Sequence, residues 1–522
     1  MAENAGSAIA EFYKGRSVLI TGATGFMGKV LVEKLLFGCP DLNRIYVLIR
    51  SKRGLPPALR LEEMFKAPLF DRLRVGHPER FSKVTAVEGD VCLADLGVSA
   101  SSRATLVTQV SVVFHCAASL RLEAGLKELV NANLEGTNRV LQLCSQLQHI
   151  KMMLHLSTAF CHVDVVEMEE RVYSSDINPH DVINLTKWMD GQSMDQVTQR
   201  LISPHPNCYT YTKRLSETLV DQSRKQIPVA IARPSIVTPS IEEPMPGWVD
   251  NLNGPMGLLV GGGKGVIRTM HCRGELCAQV IPVDKAINAI ISFVPTAVAI
   301  YDKNRNADTP VLNITQEGFV DPVTWSEVLD KGKSLCWNHP FEMMLWYPNG
   351  SIHSSYALHY LCALLFHWLP AYFIDILMLV FQQKTFMVRI QTRIQEGLRV
   401  LQYFTTKEWK FHNRNLHKLH KSMSGVDRAV FPIGAPADFQ LETYLRDCIL
   451  GARLYLMKEN PATLPRQRWV IRGLYVLDRL VTMLFYLFIM RIIYNNSHYV
   501  QRFFNSSTTG AVSLTPFNTR IK

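Results

Sequence analysis

The chain has 522 residues, with 56 Lys and Arg against 45 Asp and Glu, for a formal net charge of +11. An apolar fraction of 47% and a charged fraction of 19% exclude a disordered or fibrous protein, and the length admits about two to four domains. No uninterrupted apolar run reaches about 18 residues, which excludes a polytopic transporter.

Glu11 and Lys14 follow Ile9-Ala10 directly, so no secretory signal is expected at the start and the catalytic part is expected to face the cytosol. The 11 cysteines contain no Cys-x-x-Cys pair and read as reduced thiols. Short apolar runs then alternate with helical patterns across residues 15–330. The runs fall at Ser17–Ile20, Arg44–Ile49, Val84–Glu88, Ser111–Phe114, Met152–Leu156 and Val229–Ala232. Between them lie helical stretches at Lys29–Phe37, Leu126–Leu147 and Tyr211–Lys225. Continuously apolar strands separated by helices predict an α/β fold, a Rossmann-type doubly wound parallel sheet covered on both faces.

The first run is followed by Thr21-Gly22-Ala23-Thr24-Gly25-Phe26-Met27-Gly28 and then by a helix. Glycines at that turn allow a dinucleotide pyrophosphate to approach the backbone, and the helix N-terminus offers it free N–H groups. The second strand ends in Arg50, with Lys52 and Arg53 close by and no acid. An arginine there suits the 2′-phosphate of NADP, whereas an acid would hold the ribose diol of NAD. NADPH is the expected cofactor. The Gly-x-x-Gly-x-x-Gly spacing resembles that of the short-chain dehydrogenase/reductase superfamily, and that resemblance implies further cofactor contacts at Asp90 and Val91 after the third strand, Ala117 after the fourth, Asn133 in the next helix, and Pro234 and Ile236.

Tyr209 and Lys213 stand at i and i+4, on one helix face. An ammonium near a phenol stabilises the phenolate and lowers a pKa that is otherwise about 10, which suits the tyrosine to acid–base work on a carbonyl. A hydroxyl from the end of the fifth strand should polarise that carbonyl, and Ser157 and Thr158 both qualify. No metal-ligand spacing appears among the 16 histidines, no metal is expected, and no Gly-x-Ser-x-Gly elbow supports hydrolase chemistry.

Beyond about residue 340 glycine and proline thin out. Ala357–Phe381 is strongly apolar but contains His359, His367, Pro370 and Asp375, which favours a helical hairpin or an interfacial segment over a span. Lys384–Thr405 has a helical period with basic residues. Leu474–Tyr494 is about one bilayer span long, and it would cross if Asp478, Arg479 and Arg491 reached the headgroups. The expected division is 1–340 for a reductase domain, 341–465 for a helical domain, 466–494 for a membrane-associated helix and 495–522 for a loose tail. Positive charge beside apolar stretches, with no nucleic-acid motif, points to a lipid membrane as partner and not to nucleic acid.

Several of these residues carry a resemblance. Thr21–Gly28, Ser157-Thr158-Ala159-Phe160, Tyr209–Lys213, Arg233-Pro234-Ser235-Ile236-Val237 and above all Glu243-Pro244-Met245-Pro246-Gly247-Trp248 resemble the alcohol-forming fatty acyl-CoA reductases of animals. These are extended members of the short-chain dehydrogenase/reductase superfamily, and the C-terminal part is similar to their "sterile"-type helical domain. The resemblance implies reduction of a long-chain acyl-CoA to a primary alcohol, with release of CoA and passage through a bound aldehyde, at the expense of two NADPH. It also implies a role in wax or ether-lipid synthesis. An endoplasmic-reticulum membrane is the expected location, with a peroxisomal membrane or lipid droplet as alternatives. Another extended reductase or epimerase of the sterol type, or a catalytically idle lipid-surface protein on the same fold, is the competing reading.

Overall fold

The computed structural model describes residues 6–316 and 322–495. Seven parallel strands form the central sheet: β1 (Ser17–Thr21), β2 (Arg44–Ile49), β3 (Val84–Glu88), β4 (Val110–His115), β5 (Met152–Leu156), β6 (Val229–Pro234) and β7 (Val311–Ile314). Their order is β7-β6-β5-β4-β1-β2-β3. The doubly wound fold is as the alternating pattern predicts. β7 is the addition: a four-residue run broken by Asn313 gives little strand signal, yet it pairs with β6 from Val311 opposite Ile231 to Ile314 opposite Pro234.

Every residue of β1, β4, β5 and β6 is buried, which is why these runs are apolar on both faces. Side chains alternate between two cores. Val18 and Ile20 of β1 pack with Val283–Val298 on one face, and Leu19 packs with Leu215 and Leu219 on the other. Between β1 and β4 the chain order reverses, and a crevice opens at the carboxyl ends of the strands, the usual ligand position in such sheets.

The helices that shape the site are α1 (Phe26–Gly38), α2 (Cys208–Ser223), α3 (Pro255–Gly263) and α4 (Trp325–Asn338). The stretch predicted as one helix over 126–147 is helical from Leu126 to Cys144 but contains a π turn at Val130–Glu135.

The region after 340 packs into the same body. Leu416, Leu419, Phe431 and Ile433 join the core beneath the sheet. Trp409 and Phe411 close on Phe160 edge to face, with ring centroids 5.1 and 5.3 Å away. Asp427 accepts hydrogen bonds from Ser7 Oγ and the Ile9 N–H at the other end of the chain.

Three helices carry the apolar surface: α5 (Tyr356–Val380), α6 (Met387–Thr405) and α7 (Leu464–Asn495). The expected break in 357–381 is corrected. α5 is one continuous helix that passes through a π turn at Leu364–Trp368 with Pro370 just beyond it, where the hydrogen-bond ladder already departs from its i→i−4 register. Its interrupting polar residues all face the protein. His359, Ala363, His367, Ala371 and Asp375 form its buried face at a spacing of four. Asp375 accepts the N–H groups of Phe386, Met387 and Val388 and so caps α6. In α7 the acid is likewise turned inward. Asp478 is 2% exposed and accepts from Trp346 Nε1 at 2.7 Å and Asn349 Nδ2 at 3.1 Å, so it does not reach toward headgroups. The tail beyond Asn495 lies outside the described residues.

Candidate active site

The glycine turn after β1 is built by close backbone packing. Gly22 has a φ of +77°, and a Cβ there would lie 2.7 Å from the Ala117 nitrogen. A Cβ at Gly28 would lie 2.2 Å from the Gly22 carbonyl oxygen, so both positions need glycine for the turn to close. Thr21 ties the turn to β4. Its Oγ1 is 2.7 Å from His115 Nδ1 and accepts the Ala117 N–H at 3.2 Å, while His115 Nε2 lies 3.0 Å from Thr137 Oγ1. Burial, helped by the nearby Lys213 ammonium, lowers His115 to about 3, so the ring is a neutral strut.

Gly25 caps α1 without a side chain, which leaves the first N–H groups of that helix aimed into the crevice. A Cβ at Gly25 would meet only the Gly22 oxygen, at 3.2 Å. Open space beside uncapped N–H groups fits an anionic pyrophosphate.

The crevice has a volume of about 1330 Å³. It is lined by Thr21, Gly22, Thr24, Gly25, Phe26, Met27, Gly28, Arg50, Lys52, Asp90, Val91, Ala117, Pro234 and Ile236, and also by Ser157, Thr158, Tyr209 and Lys213. The expected cofactor and catalytic residues thus share one cleft, with two exceptions. Asn133 does not line it. The π turn carries its side chain inward, where it accepts the Ser119 N–H at 2.7 Å and donates to Ser119 O and Thr212 Oγ1, so it braces the loop that does line the cleft. Arg53 sits in a tight turn at φ 52° and also lies outside; Arg60 takes the place expected of it. The Arg60 guanidinium bonds the Arg50 carbonyl, and Arg50 itself pairs with Asp90 at 3.4 Å.

Tyr209 and Lys213 occupy the first turns of α2, whose N-cap is Asn207. Lys213 is 3% exposed and donates to the Leu156 carbonyl at 2.7 Å. Burial lowers its ammonium to about 8. Tyr209 departs from expectation: burial, with the Cys161 thiol adding to it, raises the phenol well above its ordinary range. The ammonium is committed to the end of β5 and does not lower it. Tyr209 is therefore protonated at neutral pH. Thr158 Oγ1 accepts the Phe160 N–H at 3.3 Å, and Ser157 Oγ donates to the Cys161 sulfur at 3.8 Å.

Behind these residues Glu217 and Arg233 form a fully buried ion pair, with Arg233 Nη2 and Nε at 2.6 and 2.8 Å from the carboxylate. Cys161, His162 and Glu217 bring three ligand-type atoms within 4.8 Å of one another. The guanidinium already supplies the positive charge to that carboxylate, so the cluster suits an ion pair and not a metal. The pair was invisible as spacing, since the two residues lie on different elements.

A strap leads into the cleft wall, which it reaches at Asp250 and Asn251. Ile241, Glu242 and Glu243 donate their backbone N–H groups to Asp284 at 3.0–3.1 Å, and Asp250 pairs with Lys29 of α1. At Gly247, φ +75°, a Cβ would stand 2.1 Å from the Asp447 oxygen, so the strap lies backbone against backbone on the C-terminal region. This is the Glu-Pro-x-Pro-Gly-Trp stretch.

A family described as male sterility protein matches this chain twice, through its NAD-binding model over residues 20–290 and its sterile model over 366–459. The chain is 36% identical to fatty acyl-CoA reductase 1 of Xenopus laevis and 34% identical to that of Homo sapiens, in each case over 88% of both chains. It belongs to the fatty acyl-CoA reductase family. Among solved structures, the terminal R domain of the myxalamid PKS-NRPS biosynthetic pathway superposes with a TM-score of 0.55 at 17% identity, covering 84% of this chain and 90% of that one. That likeness concerns the fold. As a fatty acyl-CoA reductase family member the protein is an oxidoreductase, and its cofactor is a nicotinamide dinucleotide.

Proposed function

We propose that this reductase converts a long-chain fatty acyl-CoA to the primary alcohol with NADPH, releasing CoA and retaining the aldehyde between two reductions. The observation that carries this reading is the convergence of Tyr209, Lys213, Ser157 and Thr158 on the same cleft as the uncapped α1 N-terminus and Arg50, in a chain of this family. Gly22, Gly25 and the α1 N–H groups would hold the pyrophosphate, Arg50 and Lys52 the 2′-phosphate, and Asp90 and Val91 the adenine side. NADPH, when bound, supplies hydride to the acyl carbon. Tyr209 Oη gives its proton to the oxygen of that carbon; its raised pKa keeps it protonated before the reaction, and the charge that develops on the oxygen after hydride arrival draws the proton off. Ser157 or Thr158 donates a hydrogen bond to the same oxygen and stabilises developing charge. Lys213 keeps a positive charge beside the reacting oxygen while anchored to Leu156.

The protein's surface supports a membrane seat. α5 has a mean hydropathy of 1.8 and is only 17% buried, whereas the comparably apolar helix Val283–Lys303 is 78% buried in the core. These are the two helices among the described residues that are long and apolar enough to cross a bilayer. α7, with Asp478, Arg479 and Arg491, is not one of them, yet Leu484, Phe485, Phe488 and Ile493 on it are exposed. An apolar surface of this extent on α5 and α7 suits lipid, with the endoplasmic reticulum as the expected membrane.

The test is a stoichiometry. Purified enzyme with palmitoyl-CoA should consume two NADPH and release one thiol for each hexadecanol formed. Reduction of a carbonyl without thiol release would assign another dehydrogenase chemistry, and consumption of neither substrate would assign an idle protein.

A further inference from the structure

Two smaller apolar pockets lie next to the cleft, and all three spaces share Pro255 at the start of α3. The one between α3 and α4 has a volume of about 140 Å³. Its wall includes Leu259, Met270, Trp325 and Val328 and ends at the paired strands Thr269–His271 and Ser351–His353. His359 of α5 contacts the same pair through Thr269 Oγ1 at 3.1 Å, so the cavity's far end lies next to the helix that presents the lipid-facing surface.

Two glycines mark this cavity as kept space. Gly332 is buried in the middle of α4 and Gly262 lies in α3, both in helical backbone with negative φ. Glycine inside a helix costs about 0.5–1 kcal/mol relative to alanine, so a buried one ordinarily reflects a close neighbour. Here no heavy atom lies within 4 Å of a Cβ built at either position, and both residues line the cavity. What the glycines provide is room.

Resting on the acyl-CoA reading above, we propose that this cavity between α3 and α4 receives the distal part of the substrate's acyl chain, and that Gly332 and Gly262 set the chain length accepted. The thioester end would lie at Tyr209 and the chain would pass Pro255 into the space, with its methyl end toward the α5 side. The occupant is an alkyl chain because apart from Lys333, Thr269 and Ser351 the wall offers nothing charged or strongly polar to a headgroup, and because the space adjoins the reaction cleft.

The experiment uses the full-length enzyme in detergent, with Gly332→Leu, Gly262→Leu and the milder Gly332→Ala. Specificity constants are measured for acyl-CoAs of eight to eighteen carbons. Each methylene displaced from the cavity should lower kcat/KM about fourfold for the long substrates, leaving the octanoyl thioester unchanged, with Gly332→Ala intermediate. Parallel loss at every chain length, or an unchanged profile in a folded variant, overturns the proposal. A palmitoyl-CoA carrying a photoreactive diazirine at its terminal carbon gives a readout independent of turnover. Labelling within Leu329–Cys336, which lines this cavity and not its neighbour, supports the proposal, and labelling at residues 433–448, around the neighbouring cavity, overturns it. If the wild type reduces no acyl-CoA, the functional reading fails by itself, and the label still decides where the chain binds.

Discussion

Replacing Arg50 by Asp tests the cofactor preference, and its magnitude follows from where the guanidinium sits. The Arg50 side chain is 58% exposed, so its field is screened by water and salt. A hydrogen bond to a charged group contributes about 1.5–3 kcal/mol, and the exposed setting places Arg50 at the low end, about tenfold in Kd. An aspartate adds repulsion of about 1 kcal/mol at 4 Å in water, bringing the total to fifty- to one-hundredfold weaker NADPH binding. The ion pair to Asp90 that is lost contributes about 0–1 kcal/mol, so the melting temperature should barely move. NADH has a neutral diol at the same place, and an aspartate accepts hydrogen bonds from it, so NADH affinity should hold or rise. Arg60→Ala should weaken NADPH in the same direction, because Arg60 lines the cleft and steadies the Arg50 carbonyl. Fluorescence titration of both cofactors measures this. Equal losses for NADPH and NADH would show that Arg50 is structural and refute the assignment.

Further outcomes follow from the same geometry. The ammonium of Lys213 titrates near 8, so it is present below that pH and lost above it; kcat/KM should fall on the alkaline side with an apparent pKa close to 8 before cofactor saturation. Glu217→Ala leaves the Arg233 guanidinium buried and unpaired, and denaturant unfolding should show a loss of about 3–5 kcal/mol. Phe373→Asp and Leu484→Asp place charge on the exposed faces of α5 and α7, and together should move protein from the membrane pellet to the supernatant without changing NADPH affinity.

The parts of the site that were legible in the sequence are those in which chemistry and spacing are local. The glycine turn and Tyr209 with Lys213 lie within one strand-to-helix junction and one helix turn, so their residue types suffice. Arg50 was legible because a strand end has a fixed place in this fold. What was hidden depends on partners far away in the chain. Asn133 looks like a cofactor ligand until a π turn faces it inward to Thr212. The Tyr209 phenol looks lowered by its neighbour until Lys213 is seen donating to Leu156, 57 residues away. The polar residues of α5 look like interruptions of a membrane segment, and in the fold they are its protein-facing side, since a period of four is a face only once the neighbours are known.

In the proposed mechanism Tyr209 supplies the proton in a nicotinamide-dependent reduction of the acyl group. Tyr209→Phe removes one oxygen atom from the cleft and nothing else. Single-turnover measurement with palmitoyl-CoA, paired with an NADPH titration, should show the reduction rate falling by about 10²–10⁴ while cofactor affinity stays within twofold. A rate within twofold of the unaltered enzyme would contradict that role for Tyr209.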